Sequence, residues 1–344
     1  LPTTRTIAVD PDQPDPRAIA EAAGILQAGG LVAFATETVY GLGADATNPE
    51  AVARIFEAKG RPSTNPLIVH VESKEAARDC VLKWPDRAEI LANHFWPGPL
   101  TLVLPRSSII PDIVTAEQDT VGVRVPRPLV ARLLIHLAGR PIAAPSANRS
   151  NGISPTMAGH VLKDLDGRVD LILDSGPTTL GIESTVLDLS TERSTILRPG
   201  QVTSEQIAEV LGEPAEGRER PAHTNAIARS PGQMDVHYAP RTPAYRIERD
   251  RALSAPIEGR FADLTIGEHW DNPSHGPFRL HRGIKHYRLA DLVGASTHLY
   301  AWLREIDELG VDFILIIPPP DEPQWRAIRD RIWRATKPWP PVSP

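Results

Sequence analysis

The chain has 344 residues, 41% of them hydrophobic and 23% charged, an ordinary globular composition with length for about two domains. Its formal net charge of −6 argues against charge-driven nucleic-acid binding over a broad surface, though not against a local basic cleft. A single cysteine, Cys80, excludes an internal disulfide framework and a multi-cysteine zinc site, no apolar run reaches membrane-spanning length, and LPTTRTIAVDPDQPD lacks the basic-then-apolar pattern of a signal peptide, so a cytoplasmic setting is expected.

In chain order, DPRAIAEAAGILQA (15–28) carries apolar residues at helical spacing, with Gly29 and Gly30 as its stop. LVAFAT (31–36) reads as a buried strand that runs into a turn-rich segment, ETVYGLGADAT. NPEAVARIFEAKG predicts a helix with Pro49 at its first position, Gly60 at its end and a core stripe of Val52, Ile55 and Phe56. Strands follow at LIVHV (67–71), TLVLP (100–104), TVGVRVP (120–126), PIAAPSAN (141–148), VDLILDSG (169–176) and STVLDLS (184–190). Helical patterns at 127–138, 155–165 and 203–212 lie among them, an alternation that predicts an α/β domain with an open sheet. From 213 to 242 the chain is rich in Pro, Gly and charge and has no period, which is linker composition. Its later half, SPGQMDVHYAP (230–240), holds more rings and hydrogen-bonding groups than a spacer needs. Beyond 243, a helix in ASTHLYAWLREIDELG, a strand in VDFILIIPPP and an amphipathic helix in EPQWRAIRDRIWRAT predict a smaller α/β domain.

No P-loop, GxGxxG, HExxH, EF-hand or GxSxG pattern is present. Instead, cationic and hydroxyl-rich segments recur where strands end. Thr36 and Thr38 sit in FATETVYGLG, where Gly41 and Gly43 permit an unusual backbone, although β-propensity and a turn also explain the segment. Lys59 and Arg61 straddle Gly60 in KGRPSTNPLIVHV. Lys59 suits a solvated helix end, whereas Pro62 directs Arg61 out of the helix. His70 on the LIVHV strand reads either as a satisfied core or edge histidine or as a site residue. Arg124 alternates with Val123 and Val125, so it faces either solvent or a cleft, and Arg127 suits a surface helix start. Ser146, Asn148, Ser150, Asn151 and Ser154 crowd APSANRSNGISPT, a plain polar loop or a cradle for a phosphate or base at a strand end. Ser184 opens a strand in GIESTVLDLS and Arg198 ends one in ILRPGQVT. Three arginines and a lysine without adjacent acids point to an anionic ligand such as a polyphosphate.

The pair KGRP (59–62) and PSAN (145–148) resembles the KxR…SxN signature of the YrdC-type threonylcarbamoyl-AMP synthases. TETVYGLG, NPLIVHV, FWPGPLT, VGVRVP, GIESTV and ILRPG are similar to that family's pattern in order and spacing over about 10–210, and SPGQMDVHYAP resembles the linker of its longer, two-domain form. The C-terminal region matches only loosely, with PPPDEPQW where the family has a Gly-rich approach to the last helix. The resemblance implies a YrdC-like open twisted sheet with a basic cavity over 1–212, a linker and active-site lid over 213–242, and a Rossmann-like α/β domain over 243–344. It implies synthesis of L-threonylcarbamoyl-AMP and pyrophosphate from L-threonine, bicarbonate or CO2, and ATP with its Mg2+. The threonylcarbamoyl group is then passed by other proteins to tRNA, whose contact with this chain is not required.

By the same resemblance, Thr38, His70, Arg124, Ala144 and Ser184 form the threonine-contacting set. Arg61, Asn65, Thr120, Ser146, Ser154, Arg198 and Tyr238 form the ATP-contacting set, and Lys59 and Asn148 complete the signature. Lys59, Arg61, Ser146 and Asn148 are the expected catalytic group. The sequence shows no carboxylate cluster that must hold magnesium, which is expected to arrive with ATP, and a monomer is expected. Two rival readings are a non-catalytic RNA-binding module of the same fold and a carbamoyl-adenylate former using carbamoyl phosphate, whose extra zinc-finger domains this chain lacks.

Overall fold

In the computed structural model the described residues are 3–217, 238–247, 259–267 and 284–339. The chain divides into two compact units, one of residues 1–150 and 154–234, the other of 151–153 and 235–344.

The first unit is built on a mixed sheet of β1 (Arg5–Ala8), β2 (Val32–Ala35), β3 (Tyr40–Asp45), β4 (Ile68–His70), β5 (Leu100–Pro105), β6 (Thr120–Arg124), β7 (Ile142–Ala143), β8 (Leu171–Asp174), β9 (Thr185–Asp188), β10 (Thr195–Arg198) and β11 (Glu216–Gly217). Their order across the sheet is β1-β8-β2-β3-β7-β4-β6-β5-β9-β10-β11. On one face, α1 (Pro16–Gln27) packs with α6 (Leu129–Ala138), burying Ile19, Leu26, Val130 and Leu134 against Val32, Phe34 and Leu173. On the other, α2 (Pro49–Lys59), α4 (Asp86–Phe95), α7 (Ala158–Leu165) and α8 (Ser204–Leu211) bury Ile55, Leu91, Val161 and Ile207 over Leu42, Val69, Leu102 and Val123. Two short helices, α3 (Lys74–Asp79) and α5 (Asp112–Thr115), complete the unit.

The helix signals operate as the sequence implies. Asn48 caps α2 by accepting from the backbone N–H of Glu50 and Ala51, Pro49 follows it, and Gly60 closes the helix with φ 61°. The clearest departure is ETVYGLGADAT. Its composition is that of a turn, yet Tyr40–Asp45 form a fully buried strand that pairs antiparallel with β2 and β7. Gly41 and Gly43 are there for room and not for an unusual backbone. A Cβ on Gly43 would lie 2.8 Å from the Phe34 ring, and one on Gly41 would lie 3.3 Å from Ala144. PIAAPSAN reads as one strand, yet only Ile142–Ala143 form a regular strand, and the loop that follows bridges to β3 at Ser146 and Gly41.

The second unit has an all-parallel sheet of β12 (Ala244–Arg246), β13 (Phe261–Ile266), β14 (Lys285–Leu289), β15 (Phe313–Ile317) and β16 (Lys337–Pro338), in the order β14-β13-β15-β12-β16. The helices α9 (Leu292–Asp307) and α10 (Arg326–Ala335) fill the connections around β15. β15 is buried along its length, the expected state of an apolar strand inside a parallel sheet.

Candidate active site

The strand register separates the expected site residues into two groups. His70 ends β4 and lies opposite Arg124, which ends the parallel neighbour β6. Thr120 begins β6, four residues and so about 13 Å from Arg124. Arg61 lies at that far end, donating through Nη2 to the Pro66 carbonyl at 3.0 Å and through Nε to the Asn65 carbonyl at 3.3 Å. The threonine-set residues His70 and Arg124 thus share one end of these strands, while Arg61, Asn65 and Thr120 of the ATP set share the other.

Arg124 is the centre of the first group and is only 3% exposed. Its Nε donates to the Gly98 carbonyl at 3.1 Å and its Nη1 to Thr38 Oγ1 at 3.1 Å. Its Nη2 lies 2.8 Å from Glu37 Oε1. No acid adjoins Arg124 in sequence, yet the fold brings one to it. Glu37 is remote in sequence and arrives because β3 turns back from β2 immediately after it. Thr38 in turn shares a 2.7 Å hydroxyl contact with Thr36, whose Oγ1 donates to the Val39 carbonyl. Solvent exposure, the other reading of Arg124, does not hold. Arg127 is on the surface, as its helix-start position implies.

Gly98, in FWPGPLT, has two tasks: its carbonyl takes Arg124, and its N–H donates to the Val125 carbonyl at 2.9 Å. A Cβ there would meet the Phe95 carbonyl oxygen at 2.2 Å, so no other residue fits without moving the loop. From Pro99 the chain passes to Ser184 through the Thr185 N–H, which donates to the Pro99 carbonyl at 3.0 Å. Arg198 then joins the two substrate sets, its Nη2 donating to Ser184 Oγ at 3.1 Å and to the Ser184 carbonyl at 3.0 Å. Thr101 Oγ1 lies 2.8 Å from the same Ser184 hydroxyl.

The signature itself is a strut. Lys59 is 3% exposed, and its Nζ donates to the carbonyls of Ser146, at 2.5 Å, and Asn148. Burial, then the neighbouring Arg61 charge, pull its pKa well below the ordinary lysine value. Lys59 is therefore no solvated helix-end cation; it ties the end of α2 to the loop after β7. That loop is also bound to β3: the Ala147 N–H donates to the Tyr40 carbonyl, and Leu42 donates to Pro145, each at 2.8 Å. Ser146 is partly exposed, Asn148 is buried, and Ala144 packs beside Gly41. Ser154 is fully buried and donates to Glu183 Oε1 at 2.5 Å.

His70 is 4% exposed, and its Nδ1 has no hydrogen-bond partner among the described residues. Burial, then the adjacent Arg124 charge, depress its pKa from 6.5 to about 3, so the imidazole is neutral near pH 7. A neutral ring beside a guanidinium can accept or donate one hydrogen bond but adds no charge of its own.

A family model named Sua5_yciO_yrdC, described as telomere recombination, matches residues 24–200, and one described as the threonylcarbamoyl-AMP synthase C-terminal domain matches 202–336. The threonylcarbamoyl-AMP synthase of Pyrococcus abyssi is 42% identical over 92% of this chain and 93% of its own length. The chain belongs to the threonylcarbamoyl-AMP synthase family. The Bacillus subtilis synthase is likewise 42% identical, over 93% of each chain. The crystal structure of P. abyssi Sua5 complexed with L-threonine superposes with a TM-score of 0.85 at 36% identity, covering 97% of this chain and 99% of that one.

Two acids of the site were missed, Glu37 and Glu183. Both lie inside quoted motifs, TETVYGLG and GIESTV, and the signal available was an acid held within an otherwise apolar and hydroxyl-bearing run. Of the SPGQMDVHYAP stretch, expected to act as a lid, residues 230–237 lie outside the described residues. Tyr238 is described and belongs to the second unit. Its backbone is left-handed, with φ 61°. Its ring is buried, stacks on Tyr300 at 5.7 Å and meets the Arg331 guanidinium at 5.1 Å.

Proposed function

We propose that the chain condenses L-threonine, bicarbonate or CO2, and ATP into L-threonylcarbamoyl-AMP, releasing pyrophosphate. The observation that carries this reading is the buried Arg124 at a strand end with Thr38 and a neutral His70 around it, in a chain whose relatives bear that synthase's name. Arg124 takes the threonine carboxylate, a bidentate contact that lysine cannot copy. His70, neutral and with its Nδ1 uncommitted, meets the polar groups of the amino acid without repelling its ammonium form. The threonine amine, once deprotonated, adds CO2 to give a carbamate. A carbamate oxygen then attacks the α-phosphorus, forming the P–O bond as pyrophosphate leaves with the electron pair of the bond that breaks.

No covalent enzyme intermediate is required. The hydroxyls nearest Arg198 and Arg124 belong to Ser184, Thr101 and Thr38, each held in hydrogen bonds and positioned to orient. Catalysis in this reading is placement plus charge stabilisation by Arg61 and Arg198. Among the described residues no group of three or more His, Cys, Asp or Glu side chains is arranged to hold a metal ion. Magnesium enters as part of the nucleotide substrate. Among the described residues no helix is long and apolar enough to cross a membrane. We place the reaction in the cytoplasm, where the product is handed to the proteins that modify tRNA.

Purified protein is incubated with ATP, magnesium, bicarbonate and threonine, with pyrophosphate release followed beside mass spectrometry of the quenched mixture. Pyrophosphate that requires both threonine and bicarbonate, with a threonylcarbamoyl-AMP mass, is the expected result. ATP left intact by folded protein overturns the reading.

A further inference from the structure

We propose that Glu37 is a positioning residue for amino-acid recognition: its ion pair holds the Arg124 guanidinium so that an N–H on each terminal nitrogen meets the carboxylate of the substrate. The inference rests on the proposed function and adds a residue to it. A guanidinium has five N–H donors. Arg124 commits its Nε to the Gly98 carbonyl and one Nη1 hydrogen to Thr38, while its Nη2 sits 2.8 Å from Glu37 Oε1 as an ion pair without hydrogen-bond geometry. Three N–H groups remain, one on Nη1 and two on Nη2, so each terminal nitrogen can offer one to a carboxylate in an arginine fork while the Glu37 charge fixes the guanidinium in place.

Glu37 is built to hold still. It is 2% exposed. Its Oε2 accepts from the Arg127 N–H at 3.1 Å, and its carbonyl accepts from the Leu180 N–H at 2.8 Å. The acid is thus pinned by the start of α6 and by the 180 loop before it touches Arg124. Its charge has a second consequence. Arg124 sits in a site that also holds Arg198, and a bare guanidinium would draw the multiply charged phosphates as readily as a carboxylate. A fixed carboxylate on the Arg124 side cancels one charge and repels a second dense anion, so that end of the site favours the single carboxylate of the zwitterionic amino acid over a phosphate chain. Discrimination between the two substrates, and not only affinity for one, is the expected contribution.

The test uses the full chain and two variants. Glu37→Gln keeps oxygen acceptance and side-chain size but removes the charge, and Glu37→Asp keeps the charge but retracts it by one methylene. Threonine binding is titrated calorimetrically without ATP, and KM for threonine and for ATP is taken from pyrophosphate release. In Glu37→Gln the threonine Kd and KM rise about tenfold, while the ATP KM stays within twofold. If that variant does not fold, as judged by its melt, the same threonine-selective loss is expected in Glu37→Asp. A folded variant that binds threonine like the wild type overturns the proposal, as does a parallel rise in both KM values. Wild-type protein that binds no threonine removes the parent reading itself, an outcome distinct from equal binding by wild type and variant.

Discussion

The buried His70 makes stability depend on pH in a direction that can be worked out beforehand. Its folded pKa is about 3, against 6.5 when exposed, because burial and the Arg124 charge both disfavour the imidazolium. Between those values the unfolded chain binds a proton that the folded chain does not. Stability is therefore fully present above pH 6.5 and falls as the pH drops through the window toward 3. The slope approaches about 1.4 kcal/mol per pH unit, and the loss amounts to about 2 kcal/mol at pH 5. For a unit of this size that corresponds to about 4–8 °C in Tm. The assay compares wild type with His70→Asn by urea unfolding and thermal melts at half-unit steps from pH 8 to pH 4.5. Other titrating groups act in both proteins, so the difference between the curves isolates the histidine. The wild type is expected to lose about 2 kcal/mol more than the variant on going from pH 8 to pH 5. Parallel curves would mean that the imidazole is protonated without cost in the folded state, and the neutral-histidine account of the site would be wrong.

Arg124→Leu strands the Glu37 carboxylate in the interior and is expected to lower stability by about 3–5 kcal/mol in urea. Adding Glu37→Leu should recover most of that loss without restoring threonine-dependent pyrophosphate release, and a double variant no more stable than the single one would contradict the buried pair. Lys59→Met removes the strut, the buried donor shared by the Ser146 and Asn148 carbonyls, at a cost of about 1–3 kcal/mol. Faster hydrogen exchange at the Ala147 and Ser150 amides, which bond to the Tyr40 and Lys59 carbonyls, is the local sign to look for. Gly200→Ala would put a Cβ 2.3 Å from the Thr185 nitrogen, displacing the start of β9 and with it the Ser184–Arg198 contact; kcat/KM for threonine should fall at least tenfold, and an unchanged value would show that this contact is not needed. Cys80, 1% exposed and with its thiol pKa pushed up to about 12 by burial, should resist iodoacetamide at pH 8 until the protein unfolds.

Much of the architecture was legible in the chain. Helices with both a cap and a periodic stripe, α2 above all, could be read within a residue or two, and so could the strands that are continuous apolar runs, such as β5 and β15. The glycine-bearing β3 was not. Its glycines look like turn signals, and only the presence of Phe34 and Ala144 against them explains why a strand interior carries no side chain at those positions. The site residues followed the same division. Their motifs marked strand ends correctly, whereas the partners of those residues could not be inferred from neighbouring positions.

The sequence by itself determined the capped helices and the continuous apolar strands, though not β3, because propensity, capping and periodicity act over a few residues. It also determined that hydroxyls and cations gather at strand termini. Only the tertiary structure decided the pairings. Lys59 meets a carbonyl 89 positions away, and Arg124 meets a hydroxyl 86 positions away and an acid beside it. Those contacts follow from strand order and register, which depend on how whole faces bury against one another. A lysine that reads as a helix-end charge became a buried strut, and an arginine that looked unpaired acquired a fixed acid, because sheet pairing brought residues together that no local spacing connects.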